Sequence, residues 1–198
     1  MKTWAGLVFG VAGYLALAGM VLRAETPVSH MKQAVLSLEP TIEDLPAYDN
    51  LQEAAVHAIA RDYQCSHAYE CAGVIAQRPD GKYVVGPVHS DYAGDHVHVP
   101  HGVPAGWRLI ADQHTHPCLA ESHEVGFFSP DDLQGDISEK LIGIMGDLCT
   151  GEVHLFNPAS DVPNAVELPG NAGVFSTKGH IIGKITVDGK SMEPDTGL

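Results

Sequence analysis

The residues best suited to chemistry lie in Asp112-Gln113-His114-Thr115-His116-Pro117. In an extended strand, side chains two apart project from one face, so His114 and His116 present two imidazoles toward a single metal ion, and Pro117 ends the strand. Thirteen residues beyond His116 the chain reads Ser129-Pro130-Asp131-Asp132. Serine, then proline at the first helical position, then an acid three residues on, is the pattern of a capped helix start. Asp132 thus has two readings: a third metal ligand, or a capping side chain turned back onto the backbone and withheld from a metal. Alone the segment favours capping; behind the histidine pair the balance moves toward ligation. Glu70, in Tyr69-Glu70-Cys71-Ala72-Gly73-Val74-Ile75, heads a β-prone run. It is either a solvated strand-end carboxylate or, if that run lies beside the histidine strand, a fourth element of the same set. A second pair, His96-Val97-His98, sits in a Gly/Pro-bounded loop with no carboxylate-bearing helix start soon after it, and is the weaker metal candidate.

Elements must position these groups. Asp49 or Asn50 caps a helix running to about Tyr63, with Leu51, Ala54, Ala55, Ala58 and Ile59 on one apolar face. Cys71 to Gln77 and Tyr83 to Val88 read as a hairpin around Pro79-Asp80-Gly81-Lys82, because proline presets φ and glycine accepts positive φ. Residues 89–106 read as a loop, Trp107 to His116 as a strand, Ser129 to about Lys140 as a helix, and Leu141 to Gly146 and Glu152 to Phe156 as strands. Trp107 and Phe127-Phe128 read as core or rim residues. The expected fold class is α/β (α+β), a mixed β-sheet flanked by helices. The Glu70 and histidine strands should be near neighbours, with Gly73 permitting close approach of another backbone or a ligand. Beyond Pro158, short apolar runs at Val174-Phe175 and Ile181 to Val187 suggest short strands, and Ser191 to Leu198 reads as frayed. The expected organisation is 1–24 signal peptide or anchor, 25–48 linker or arm, 49–160 the chemistry-bearing domain, and 161–198 a C-terminal extension with short strands.

Charge narrows the partners. Of 198 residues, 11 are Lys or Arg and 25 Asp or Glu, a formal charge of −14. Nucleic acid and anionic membrane surfaces are therefore poor partners. With 44% hydrophobic and 18% charged residues the chain is globular in composition, and its 12 histidines favour metal or proton chemistry. No GxSxG elbow, GxxxxGK loop or GxGxxG fingerprint occurs. Lys2, the uncharged stretch Thr3 to Leu22, and Arg23 read as a secretory signal, with Ala16-Leu17-Ala18 or Ala24 as the cleavage site, or as an uncleaved anchor, the one expected membrane contact. Either way the body is expected outside the cytoplasm, periplasmic or secreted. There, four cysteines favour disulfides. Cys65 with Cys71 and Cys118 with Cys149 are the preferred pairs among three possible connectivities; small buried apolar thiols are the alternative.

Taken in order, the strand glutamate, HxHP and SxxD resemble the signature of the JAMM/MPN metallo-isopeptidase superfamily. The spans 70–75, 111–117, 128–132 and 146–158 are similar to a JAB-like branch of uncharacterised function found in bacterial secreted and toxin-associated proteins. The resemblance covers residues 50–160 and departs in one place: the spacer Cys118 to Phe128, with Glu121, His123 and Glu124, is longer than the family's pattern and could cover the site. The resemblance implies a JAB/MPN-like fold, His114, His116 and Asp132 as Zn²⁺ ligands, Ser129 as an oxyanion donor and Glu70 as general base. The chemistry agrees: two imidazoles and one carboxylate leave a fourth tetrahedral position open to water, as catalytic zinc sites do. Asp112 and Gln113 flank the pair and are candidates to orient the imidazoles from behind. The expected activity is that of an exported zinc metallopeptidase or isopeptidase acting on a peptide or protein, such as cell-wall peptide stems or a toxin's target, with a cognate inhibitor or immunity protein as a further partner. The alternatives are a catalytically inactive JAB-like binding or effector module in the periplasm, and a metal-free protein in which SPDD is a plain helix cap.

Overall fold

A computed structural model describes residues 42–65, 68–118, 126–161, 164–168, 171–186 and 192–194. The segment 1–24, residues 25–41 of the arm and residues 119–125 of the spacer, with Glu121, His123 and Glu124, lie outside the described residues. Among the described residues, β1 (Ala47–Tyr48), β2 (Ala72–Gln77), β3 (Tyr83–Val85), β4 (Arg108–His116), β5 (Ile142–Asp147), β6 (Glu152–Phe156), β7 (Asn164–Leu168), β8 (Asn171–Ser176), β9 (His180–Ile185) and β10 (Met192–Pro194) form the strands. Eight of them make one sheet in the order β1-β3-β2-β4-β5-β6-β9-β10, while β7 and β8 pair separately. Every neighbouring pair of the large sheet is antiparallel except β4 and β5. Parallel neighbours need a crossover, and helix α2 (Pro130–Glu139) lies within it.

Helix α1 (Leu51–Tyr63) starts where Asn50 accepts a hydrogen bond from the Glu53 N–H at 2.8 Å. Its buried Ala54, Ala55, Val56, Ala58 and Ile59 pack on Ile75, Ala111, Ile144, Val153 and Ile182 of one sheet face. The opposite face carries a smaller cluster, Phe128, Leu133, Met145 and Phe156. The β2–β3 hairpin turns as its sequence predicts: Gly81 has φ +87° and Arg78 N–H donates to the Lys82 carbonyl at 2.8 Å. Gly73 admits close neighbours, since a Cβ there would lie 2.7 Å from Gln113 Nε2 and 2.8 Å from the Pro87 carbonyl oxygen.

The far C-terminal segment differs from expectation. Residues 192–194 are not frayed throughout; they form β10, the edge strand paired with β9. Pro194 at its end suits an edge, where an absent N–H costs no ladder bond. The 161–198 segment also reaches the start of α2. Ser176 Oγ donates to the Phe128 carbonyl, and Phe128 bridges to Thr177, so the residue before Ser129 is held by the end of β8 and the residue after it.

Candidate metal centre

β4 lies between β2 and β5, with His114 opposite Ala72 on one side and Met145 on the other. Alternation along the strand divides its side chains. Ala111, Gln113 and Thr115 are fully buried, and Asp112, His114 and His116 take the opposite face, toward α2. The two imidazoles converge there: His114 Nε2 and His116 Nε2 are 3.1 Å apart. Asp132 Oδ2 is 3.3 Å from His114 Nε2 and 3.5 Å from His116 Nε2. These three residues form a group that could hold a metal ion.

The same carboxylate caps the helix. Ser129 N–H donates to Asp132 Oδ2 at 2.7 Å and Asp132 N–H donates to Ser129 Oγ at 3.1 Å. Capping and convergence on the imidazoles, expected to exclude each other, therefore coexist. A carboxylate oxygen has more than one lone pair, so the cap directs Oδ2 toward the histidines instead of withdrawing it. Burial opposes the charged form of His114, but the adjacent Asp132 carboxylate outweighs it and pushes the imidazole up to about 10. Burial likewise opposes ionisation of Asp132, and the two imidazoles overcome it, holding the carboxyl well below its usual range.

Behind this group stands an acid pair. Burial, then the Asp112 carboxylate, push Asp136 up to about 9, and Asp112 is itself raised by burial while hydrogen-bonded to Asp136. One proton shared between them avoids two buried like charges. Asp136 is 2% exposed and its Oδ2 has no hydrogen-bond partner. The partner shown for Asp112 is thus a carboxyl, not an imidazole. Asp136 went unnoticed in the sequence, although its i+4 spacing from Asp132 places both acids on one helix face.

Gln113 is a correction. It points to the α1 face, where its Nε2 donates to Asp62 Oδ2 at 2.7 Å, so it orients neither imidazole. Strand alternation sends it away from both neighbouring histidines. Asp62, fully buried and raised by burial, is also held by Arg61 Nε at 2.8 Å.

Glu70 and Ser129 line the same cleft as His114 and Asp132, a space of about 610 Å³. Glu70 is 8% exposed, and its charge contributes to the raised pKa of His114. The loop 89–106 is tied to its backbone: Glu70 N–H donates to the Ala93 carbonyl at 2.8 Å and Ser90 Oγ donates to the Glu70 carbonyl at 2.8 Å. His96, His98 and His101 of that loop reach the cleft rim. His96 and His98 do not converge; each ring faces its own carboxylate, Asp95 at 2.8 Å and Asp91 at 2.6 Å. His101 Nδ1 lies 2.6 Å from Glu139 Oε2 at the end of α2, a contact that the sequence did not suggest.

Cys65 is bonded to Cys71 and Cys118 to Cys149, and no free cysteine remains. Among the described residues, no helix is long and apolar enough to cross a membrane. No family model, curated protein or solved structure matches the chain.

Proposed function

We propose that the protein is an exported zinc-dependent hydrolase that cleaves a peptide or isopeptide bond, with a JAB/MPN-like domain as its scaffold. The carrying observation is the triangle of His114 Nε2, His116 Nε2 and Asp132 Oδ2, with edges of 3.1, 3.3 and 3.5 Å. Ligands about 2.0–2.1 Å from a tetrahedral zinc ion lie about 3.3–3.4 Å from one another, so the spacing of the three atoms fits such an ion. When bound, zinc supplies Lewis acidity that activates water and polarises the scissile carbonyl. His114 and His116 hold the ion as neutral imidazoles, and Asp132 supplies the negative ligand. Glu70 takes the proton released from water and passes it to the departing amine. The Ser129 hydroxyl accepts from the Asp132 amide while its own proton remains for donation to the carbonyl oxygen as charge develops there. The two disulfides support an oxidising compartment.

Elemental analysis with a peptide-hydrolysis panel tests this reading. The wild type should carry one zinc, His116→Ala should lose it, and Glu70→Gln should keep it while hydrolysis falls by about 10²–10⁴. Unchanged zinc occupancy in His116→Ala would sink the ligand assignment.

A further inference from the structure

Of the two histidines, His116 has less of the sheet around it. β2 is in register with β4 as far as His114, opposite Ala72, and the last backbone bond on that side is Thr115 N–H to the Cys71 carbonyl, whereas His116 sits further on, in register with Asp147 of β5. At His116 the backbone is joined to the residue after β5, the Leu148 N–H donating to the His116 carbonyl at 3.2 Å. Two residues later Cys118 is bonded to Cys149. Cys149 belongs to a turn organised by Asp147, which is 2% exposed. Asp147 Oδ1 accepts from Cys149 N–H at 2.8 Å, its Oδ2 from Thr150 Oγ1 at 2.8 Å, and its carbonyl from Gly151 N–H at 2.8 Å. The residue in register with His116 therefore also builds the turn to which the chain after His116 is covalently attached. Register, hydrogen bond and sulfur bridge close a small ring around the strand end.

We infer that Cys118 and Cys149 are positioning residues of the metal centre: their disulfide holds the end of β4 so that His116 Nε2 stays on the His114–Asp132 triangle. The inference rests on the metal-binding reading of those three residues. Ligand geometry must hold to about 0.5 Å for a metal site to keep its affinity. The other disulfide serves as a contrast. Cys65–Cys71 ties the chain after α1 to the start of β2, and Cys71 N–H meets Thr115 Oγ1 at 3.2 Å, on the sheet face away from the ligands. Cys71 also reaches β4, its carbonyl accepting from Thr115 N–H at 2.9 Å, but through hydrogen bonds alone and ahead of His116, whereas Cys118–Cys149 closes covalently on the chain beyond His116. The centre thus reaches full metal affinity only where Cys118–Cys149 has formed, which couples metal loading to an oxidising compartment.

Titrating Co²⁺ and Zn²⁺ into the oxidised full chain, into Cys118→Ser/Cys149→Ser and into Cys65→Ser/Cys71→Ser tests this, with the melting temperature of each recorded. The visible spectrum of bound Co²⁺ reports coordination geometry independently of stability. Loss of the 118–149 bridge should weaken binding about 10–100-fold and alter that spectrum, as loss of ligand-supporting contacts does. Loss of the 65–71 bridge should leave affinity within about threefold on the same scale. Equal affinity in wild type and Cys118→Ser/Cys149→Ser, or equal weakening in both double variants, overturns the positioning role. Failure of the wild type itself to bind either ion overturns the metal reading, and the positioning role with it. If the serine pair does not fold, Cys118→Val/Cys149→Ala keeps the bulk at the bridge and is read by the same criteria.

Discussion

At the scale of single residues, the proton on His114 would link metal binding to pH if the three residues load as proposed. Its imidazole is pushed up to about 10, so without metal it is charged at neutral pH and occupies electrostatically the place a cation would take. A metal ion must displace that proton. Zn²⁺ affinity should rise about tenfold per pH unit from pH 6 to 9, and calorimetry in buffers of different ionisation enthalpy should read about one proton released per ion. The metal-free fold has the opposite sensitivity. His114 is raised above its ordinary 6.5 and Asp136 above its ordinary 3.8 to about 9, so both contributions are fully present in acid and are lost as pH rises through the folded values. The lowered Asp132 acts in reverse, stabilising above about pH 4 and losing its contribution below. Chemical denaturation of the metal-free protein should therefore show greatest stability near pH 4 and a decline from there toward pH 10, which Asp136→Asn should flatten because an amide has no proton to lose.

At the scale of elements, the start of α2 serves two purposes, and substitutions there separate them. Ser129→Ala removes one half of the reciprocal cap and should cost about 1 kcal/mol in thermal unfolding. Asp132→Asn should retain much of that stability yet abolish metal binding, because an amide oxygen is a poor substitute for the anionic ligand. Gly143 on β5 marks how closely α2 is seated: a Cβ there would fall 2.0 Å from Asp136 Oδ2 and 3.1 Å from Phe128 Cε1. Gly143→Ala should destabilise by about 1–3 kcal/mol, measured by denaturant unfolding. Much of this level could be read from local pattern. The helix at 51–63, the hairpin turn at Gly81 and the strand carrying the histidines follow from apolar spacing, turn chemistry and period-two alternation. The same alternation, applied strictly to Gln113, would have sent it to the α1 face. What escaped was long-range: Ser176 and Thr177 on Phe128, His101 on Glu139, and Asp136 on Asp112 each join residues whose meeting depends on sheet order, which local periodicity does not encode.

At the scale of the whole molecule, β9 and β10 extend the sheet beyond β6, and α1 packs against β9, so the chain past residue 161 supports the same core as the segment before it. Its short apolar runs mark strands but give no indication of their neighbours. If the centre loads as proposed, metal and fold share free energy. Free Zn²⁺ at 100 times its dissociation constant should stabilise the protein by about 2.7 kcal/mol, and a chelator should reverse the corresponding rise in melting temperature. Opening the bridge between Cys118 and Cys149, 31 residues apart in sequence, should cost about 2–4 kcal/mol in denaturant unfolding.

The parity of β4 has a consequence for how this protein can vary. Inserting or deleting one residue between Ala111 and His114 would turn everything downstream to the other face, sending the imidazoles into the packed layer under α1 and Thr115 toward α2 instead. A substitution at one ligand leaves the other side chains of the strand in place, but a shift of frame removes every ligand it carries at once. Away from the ligands themselves, the strand is therefore more tolerant of changes in composition than of changes in length.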